Sequence, residues 1–510
     1  MKEGTTMKNR SMYRILTALL ALAGLATAVS SAAASVNGPV RITAAGFACP
    51  PGTVTPDPNN GANYPSAEVE PYVALNPRNP RNAVAIWQQD RWSNGGANGL
   101  GGGYTTDGGT TWSQTAAPFS HCTGGNAANN GNYDRATDPW ATFAPDGTAY
   151  FISLSLAVPD FNPHEVAVAR STNGGATWSS PVTLLKDTSG NFSNDKESIS
   201  ADPGNANYVY AVWDRLVIPN EQSQGDAPGR AFASYGPTWF ARTTNGGGSW
   251  QAARKIYDPA LDGPGQGRND QTIGNQIVVL PNGTLVDGFA LAHNDNAHHR
   301  KGIKVALIRS TDKGATWEQH ATVAARELTV GVSDPTTGAP LRTSDELPEI
   351  AVDRSSNGRT RGNLYAVWQD ARFNNGDHDE IAFARSTDGG NTWSDPKRIS
   401  TPTGKAAFTA AIAVAGDGTV GVVYYDLRHD DSGAPLATDV WMTISSDGGA
   451  TWSEQHLSGP FDMTKAPEAG GYFVGDYIGL TVGGNTFHPV WVEATGTQNV
   501  TDVYTASVTR

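Results

Sequence analysis

Cysteine, charge and long apolar runs are all scarce in this sequence. Cys49 and Cys122 are its two cysteines in 510 residues, which excludes a disulfide-rich scaffold and a zinc site built on paired cysteines. Charged residues make up 17% of the chain and the formal net charge is −13, which argues against a nucleic-acid partner. No phosphate-binding loop is present. With 58 Gly, 31 Pro and 14 Trp, the composition is typical of a globular protein rich in turns.

The one long apolar run lies near the N-terminus, at residues 15–29. Basic residues such as Lys8 and Arg14 precede it, and three consecutive alanines follow it. This order predicts a secretory signal peptide over residues 1–34. We therefore expect a secreted, extracellular protein whose single mature domain comprises residues 35–510. No later run approaches the length of a membrane span.

A nine-residue motif recurs along almost the whole chain. The copy at residues 385–393 reads Arg-Ser-Thr-Asp-Gly-Gly-Asn-Thr-Trp, and five others lie at residues 105–112, 170–178, 242–250, 309–317 and 444–452. Alternating polar and apolar residues, interrupted by Asp-Gly or Asn-Gly, predict a β-hairpin. The glycine allows positive φ in the turn, and the aspartate accepts backbone N–H groups across it. Six copies predict a fold built from repeated β-sheets.

A second repeat is interleaved with the first. A pair of apolar strands precedes each motif, at residues 70–87, 138–154, 197–213, 275–291, 348–368 and 410–425. A seventh pair, at residues 476–491, has no motif after it and lacks one strand. Residues 39–45 have the length and pattern to supply that strand. We therefore predict an all-β propeller of seven blades, with six as the alternative, whose ring is closed by the N-terminal strand.

The two cysteines fit this scheme. Cys49 and Cys122 fall in equivalent loops of adjacent blades, and an isolated pair in an exported protein is typical of a disulfide. We predict that they are bonded and that the bond staples the ring at its seam.

Polar residues collect at one end of the blades. In four blades the second strand ends in an Asp and an Arg. The arginines are Arg91, Arg215, Arg372 and Arg428. The starts of the inner strands supply Glu70, Asp138, Glu197, Glu349 and Tyr477, with further acids such as Asp195 and Asp476. Each arginine has two interpretations. It forms a structural salt bridge between blades, or its forked donors bind a substrate carboxylate bidentately.

The motif resembles the Asp box, or BNR repeat, Ser-x-Asp-x-Gly-x-x-Trp, and through it the chain resembles bacterial sialidases across most of its mature length. Those enzymes bind the sugar carboxylate with three arginines, and they use a tyrosine nucleophile helped by a glutamate, with an aspartate as acid/base. The resemblance implies an exo-glycosidase that acts on an acidic sugar. The Phe-Arg-Ile-Pro motif of that family is absent from the first blade.

We therefore predict a secreted sialidase-like glycosidase, monomeric, acting on an acidic glycan. Its candidate catalytic residues are Glu70, Asp138, Glu197, Glu349 and Tyr477, and its candidate carboxylate binders are Arg91, Arg215, Arg372 and Arg428. A polysaccharide lyase, or a propeller that only binds glycans or proteins, is the alternative. No cofactor is required, although the oxygen-rich residues 374–380 match either a Ca²⁺ site or a plain turn.

Overall fold

The computed structural model describes residues 34–43, 49–217, 235–262, 270–296, 299–430 and 436–510. The predicted signal peptide lies outside the described residues. Residues 34–510 form one compact unit. The fold is all-β, as predicted, and the helical segments of the described part are single 3₁₀ turns at His121–Thr123, Pro259–Leu261, Arg372–Asn374 and Met463–Lys465. None of the described helices is long or apolar enough to cross a bilayer.

Four-stranded antiparallel meanders repeat along the chain, and we number them sheets 1 to 7. Sheet 1 contains β2 (Glu68–Leu75), β3 (Ala83–Arg91), β4 (Ala97–Thr105) and β5 (Ser113–Ala116). Sheet 2 contains β6 (Arg135–Phe143), β7 (Ala149–Leu156), β8 (His164–Ser171) and β9 (Val182–Asp187). A single bridge between Ala97 and Ala136 joins these two sheets.

The next four meanders follow the same order. Sheet 3 contains β10 (Phe192–Ala201), β11 (Val209–Val217), β12 (Thr238–Thr243) and β13 (Arg254–Tyr257). Sheet 4 contains β14 (Gln271–Val279), β15 (Leu285–Asn296), β16 (His299–Ser310) and β17 (Thr322–Glu327). Sheet 5 contains β20 (Glu349–Val352), β21 (Leu364–Asp370), β22 (Glu380–Ser386) and β23 (Lys397–Arg398). Sheet 6 contains β24 (Ala407–Val414), β25 (Val420–Asp426), β26 (Ala437–Ser445) and β27 (Ser453–Asp462).

Sheet 7 joins the two ends of the chain. It contains β29 (Gly479–Gly483), β30 (Thr486–Ala494), β31 (Thr501–Thr509) and β1 (Ser35–Arg41). The N-terminal strand thus pairs with the C-terminal strand, as predicted, with Val36 opposite Val508. It begins at Ser35 rather than at residue 39, because Val36 packs against the largest apolar cluster.

The predicted disulfide is present. Cys49 is bonded to Cys122, which lies in the 3₁₀ turn after sheet 1. The bond therefore ties the segment after β1 to the 3₁₀ turn after sheet 1.

The Asp-box turns form as the sequence predicts. In the turn after β22, the Asp388 carboxylate accepts the Thr392 amide at 2.9 Å and the Thr392 hydroxyl at 2.6 Å. The Ser386 hydroxyl accepts the Gly390 amide at 2.8 Å. Bonds from Thr392 lower the pKa of Asp388 to about 2, so the carboxylate is ionised over the whole physiological range. The side chains of the motif therefore close the turn on themselves.

The arginine that opens four of the motifs has a separate role, which is to tie neighbouring sheets together. Its guanidinium donates to a backbone carbonyl in the Asp-box turn of the next sheet, through Arg170 to Gly246, Arg242 to Lys313, Arg309 to Gly389 and Arg385 to Gly448. The last motif has Ile444 in this place. Sheet 7, which follows it, has no Asp box to receive such a bond.

The first strand of five of the sheets contains a β-bulge. The pairing register slips at one point in β2, β6, β10, β14 and β24. The bulged positions have left-handed backbone, with φ of 52° at Glu70, 51° at Asp138, 49° at Lys196, 72° at Gly274 and 48° at Thr409. Left-handed backbone is unfavourable for residues other than glycine and concentrates at functional sites. Three successive sheets thus place a charged residue at the same strained position.

Candidate active site

A cleft of about 840 Å³ opens beside these bulges. Asp138 of β6, together with Asp195 and Lys196 of β10, lines one part of it. Arg342 and Asp476, which come from connections outside the seven sheets, line another. The volume lies within the range of small-molecule binding sites. The cleft is therefore the candidate active site.

Lys196 lies at the centre of a charge cluster on the cleft floor. Its ammonium nitrogen is 2.7 Å from Asp476, 3.2 Å from Asp138, 3.7 Å from Glu70 and 4.0 Å from Asp195. The Glu70 carboxylate is fully covered, and the Asp195 side chain is 26% exposed. Of the predicted catalytic residues, the structure thus brings Glu70 and Asp138 together.

A small sheet that the sequence does not predict adds Arg342. Strands β18 (Val332–Ser333), β19 (Pro340–Arg342) and β28 (Tyr472–Phe473) form it, and β19 runs parallel to β28. Arg342 donates to the Asp476 carboxylate from Nε at 2.8 Å and also from Nη2. Its guanidinium lies 4.6 Å from the centre of the Phe473 ring.

Arg91 is the predicted carboxylate binder that the structure places on this cleft. It donates to Gln88 Oε1 at 2.7 Å, and its guanidinium is 4.9 Å from the same Phe473 ring. Burial and the neighbouring Arg342 charge lower the pKa of Arg91 to about 10. Two guanidinium groups that remain charged at neutral pH thus share one aromatic ring at the cleft wall.

The carboxylates of the cluster fall into two groups. Burial opposes ionisation of Asp476 and Asp138, but the cations Arg342 and Lys196 outweigh it and hold the pKa of both below the usual range. Burial raises the pKa of Glu70 well above its usual value and that of Asp195 to about 7. Neighbouring acids whose pKa values are pushed apart are the arrangement that acid/base chemistry requires.

Three other predicted catalytic residues line a small pocket of about 30 Å³ that shares Lys196 and Asp476 with the cleft. Glu197 is 1% exposed, and its carboxylate oxygens have no hydrogen-bond partner among the described residues. Glu349 accepts a bond from Gln276 at 2.9 Å, and burial raises its pKa to about 8. The Tyr477 hydroxyl donates to the Pro139 carbonyl at 3.1 Å, and burial raises its pKa well above the usual value. This phenol is protonated at neutral pH.

The other three predicted arginines are not among the described residues that line the cleft. Arg215 holds Asp187 through two bonds, one of them 2.9 Å long, and Arg372 holds Asp370 at 2.7 and 2.6 Å. Arg428 holds Asp426 at 2.6 Å and Glu454 at 2.6 and 3.0 Å. All three arginines are paired with carboxylates of the protein itself, as Arg342 is with Asp476, and they differ from Arg342 in that they do not line the cleft. Their role as substrate binders stays a prediction.

The segment predicted as a turn or a Ca²⁺ site folds into a closed turn. Asn374 accepts the Asp377 amide at 2.9 Å and donates to the His378 carbonyl at 2.7 Å. Asp379 points away from this turn and accepts the Val330 amide at 2.9 Å. Across the described residues, no group of three or more acidic, histidine or cysteine side chains is arranged around a metal position. Calcium binding at residues 374–380 stays a prediction.

Sequence reasoning missed Lys196 and Arg342. Lys196 had a signal, since it stands between Asp195 and Glu197, two acids that the sequence places at the start of an inner strand. Arg342 had none, because its strand is three residues long.

Proteins that are similar to this chain in sequence or structure include sialidases and other glycosidases, as well as a Dyadobacter fermentans protein of unknown function. A sialidase of Bacteroides fragilis is 26% identical over 187 residues, which are 34% of this chain and 33% of that protein. The chain therefore spans about a third of the length of that relative. No protein-family model matches the chain. The sequence match confirms the resemblance to sialidases that the Asp boxes indicate.

The solved structures that are similar to this chain include two glycosidases. The Hadza microbial sialidase Hz136 is 14% identical, with a TM-score of 0.46 over 83% of this chain and 73% of the other. An α-L-arabinanase of Penicillium chrysogenum is 13% identical, with a TM-score of 0.45 over 92% and 98% of the two chains.

Proposed function

We propose that this protein is a secreted, sialidase-like glycosidase that hydrolyses the bond to an acidic sugar in the cleft. We also propose that sheets 1 to 7 are the seven blades of one propeller, closed by β1. The sequence similarity to a sialidase supports the first proposal. The seven meanders and the pairing of β1 with β31 support the second.

The observation that supports an acidic substrate is the pair of arginines, Arg91 and Arg342, that lie over the Phe473 ring. The Arg342 side chain is 16% exposed and reaches the cleft, and Arg91 adds a second positive charge behind it. Arg342 holds Asp476 through Nε and Nη2 and donates to the Ala469 carbonyl from Nη1, which leaves one N–H of Nη1 and one of Nη2 for a substrate carboxylate. A sugar carboxylate that enters the cleft would meet both charges. We assign carboxylate binding to Arg342, with Arg91 in support.

The acid/base roles follow from the two groups of carboxylates. Asp195 is exposed to the cleft and is half protonated near pH 7, so it can donate a proton to the leaving oxygen. Asp138 remains ionised and can stabilise the positive charge that develops on the sugar. The resemblance implies a tyrosine nucleophile helped by a glutamate, and we assign these roles to Tyr477 and Glu197 because they line the same pocket. For that role, the phenol must release the Pro139 carbonyl and lose its proton.

The test is turnover by the purified mature protein. We expect release of the fluorophore from an aryl α-sialoside or, failing that, from an aryl uronide. An unsaturated product from an acidic polysaccharide would replace the hydrolase with a lyase. No turnover on the whole panel, with specific glycan binding retained, would replace the enzyme with a binding propeller.

A further inference from the structure

Lys196 is the feature of the cleft that neither the sequence reasoning nor the resemblance to sialidases explains. It is the residue at the bulge of β10, its backbone is left-handed, and its side chain is 10% exposed. A lysine so placed costs free energy through both strain and burial. Its four nearby carboxylates come from three sheets and from the segment before β29.

The contacts of Lys196 are unequal. The ammonium bonds Asp476 at 2.7 Å and Asp138 at 3.2 Å, whereas Asp195 lies at 4.0 Å. Asp476 also receives Arg342, so it is paired with two cations. Asp138 has Lys196 as its cationic contact among the described residues. A lysine surrounded by acids stays protonated, which rules it out as a nucleophile and leaves it as a fixed positive charge.

We propose that Lys196 is the positioning residue that decides which carboxylate of this site carries the proton. By bonding Asp138 it holds that group ionised, and by standing farther from Asp195 it leaves Asp195 as the proton donor. This inference rests on the proposed function, in which the two aspartates have these opposite roles.

Other charged groups also act on Asp195. They are Lys196 and Glu197 on β10, Asp138 on β6, Asp214 on β11, Arg342 on β19 and Asp476 before β29. The acids among them disfavour its ionisation, and Lys196 and Arg342 favour it. Removing Lys196 therefore moves the titration of every carboxylate of the cluster to higher pH. The movement is expected to be larger at Asp138 than at Asp195, because Asp138 is closer to the ammonium. Asp476 is closer still, but it keeps Arg342 as a second cation.

The test compares Lys196→Met with Lys196→Arg in the full mature chain. Met keeps the length of the side chain and removes its charge. We expect kcat/KM to fall at least a hundredfold in Lys196→Met and the acid limb of its pH profile to move up by one unit or more. The alkaline limb should move less, so that the pH range in which kcat/KM is high becomes narrower. Lys196→Arg should restore the wild-type position of the acid limb, even where its rate is reduced.

Lys313→Met is the matched control. Lys313 bonds Asp202 at 2.6 Å in a pair that joins sheets 3 and 4, and neither residue lines the cleft. It should lose stability and keep the wild-type pH profile. If Lys196→Met keeps that profile too, Lys196 is merely structural and the inference is wrong.

A thermal readout separates this inference from the proposed function. In the wild type, Asp138 has a lowered pKa, so its stabilisation is present above its unfolded pKa and is lost as the pH falls through the folded value. Lys196→Met should lose stability near neutral pH and approach the wild type in acid, whereas Asp138→Asn/Lys196→Met should recover part of the loss. If the wild type turns over no substrate, the proposed function fails and this measurement alone decides the role of Lys196. If the stability of the wild type and that of Lys196→Met depended equally on pH, the proposed role of Lys196 would be overturned.

Discussion

The clearest stability prediction concerns the ion pair between Arg135 and Asp57, which fixes one wall of the cleft. Nη2 of Arg135 is 2.8 Å from Asp57, and both side chains are 1% exposed. The guanidinium also donates to the Asn94 side chain at 2.9 Å and the Gly95 carbonyl at 2.7 Å, and it lies 4.1 Å from the Trp92 ring. Arg135→Met removes the charge and leaves a covered carboxylate without its cation.

The size of the effect follows from that burial. Breaking a buried pair by removing one partner costs roughly 3–5 kcal/mol, because the remaining charge is desolvated and uncompensated. Asp57 lies in a segment whose neighbours are exposed, so we expect the lower end, about 3 kcal/mol. The double variant Asp57→Asn/Arg135→Met should recover part of this loss, since it leaves no buried charge.

The measurement is equilibrium unfolding in urea, with Arg41→Met as the matched control. Arg41 pairs with Asp502, but its side chain is 46% exposed, so its loss should cost under about 1 kcal/mol. Burial alone would raise the pKa of Asp57, but bonds from Asn59, Asn94 and Arg135 hold it below the usual value. The stabilisation is therefore present above about pH 4, the unfolded value, and is lost as the pH falls through the folded one. Equal losses in Arg135→Met and Arg41→Met would refute the reasoning.

Three further predictions concern the disulfide, the contacts between sheets and the pH profile. Replacing Cys49 and Cys122 with serine should cost roughly 2–4 kcal/mol in unfolding free energy, and an unchanged urea midpoint would contradict this. Arg385→Met removes the 2.9 Å bond to Gly448 and should cost about 1–2 kcal/mol by the same measurement, with activity per folded molecule kept. Because Asp195 must be protonated to act, kcat/KM should fall as the pH rises through about 7, and Asp195→Asn should abolish that limb. A limb that survives in Asp195→Asn belongs to another acid.

The repeat architecture could be predicted because its signals are local. Each Asp-box turn is closed by side chains within the motif, as the bonds of Asp388 to Thr392 show, so eight residues carry all the information. The N-terminal strand followed from counting strands in sheet 7, which lacked one, and the disulfide followed from an isolated pair of cysteines in a chain with a predicted signal peptide. Neither inference needed the orientation of any side chain.

The candidate site could be predicted only in part, because its charges meet through irregular backbone. Arg342 reaches Asp476, which is 134 residues later, from a three-residue strand that shows no periodicity. The same limit applies to the arginines at the strand ends. Arg91 and Arg372 both stand four residues after a buried tryptophan, yet one lines the cleft and the other holds Asp370. Which partner each arginine has is decided by side-chain packing, which the sequence pattern does not show.

The most direct test of an acidic-sugar site is to compare Arg342→Lys with Arg372→Lys. Lysine keeps the charge and loses the two-pronged geometry at both positions. On the best acidic substrate, Arg342→Lys should lower kcat/KM by roughly tenfold to a hundredfold, about 1.4–2.8 kcal/mol, while Arg372→Lys should lose stability and keep kcat/KM per folded molecule. If Arg342→Lys retains full kcat/KM, or if both variants lose only stability, the cleft does not recognise an anionic sugar.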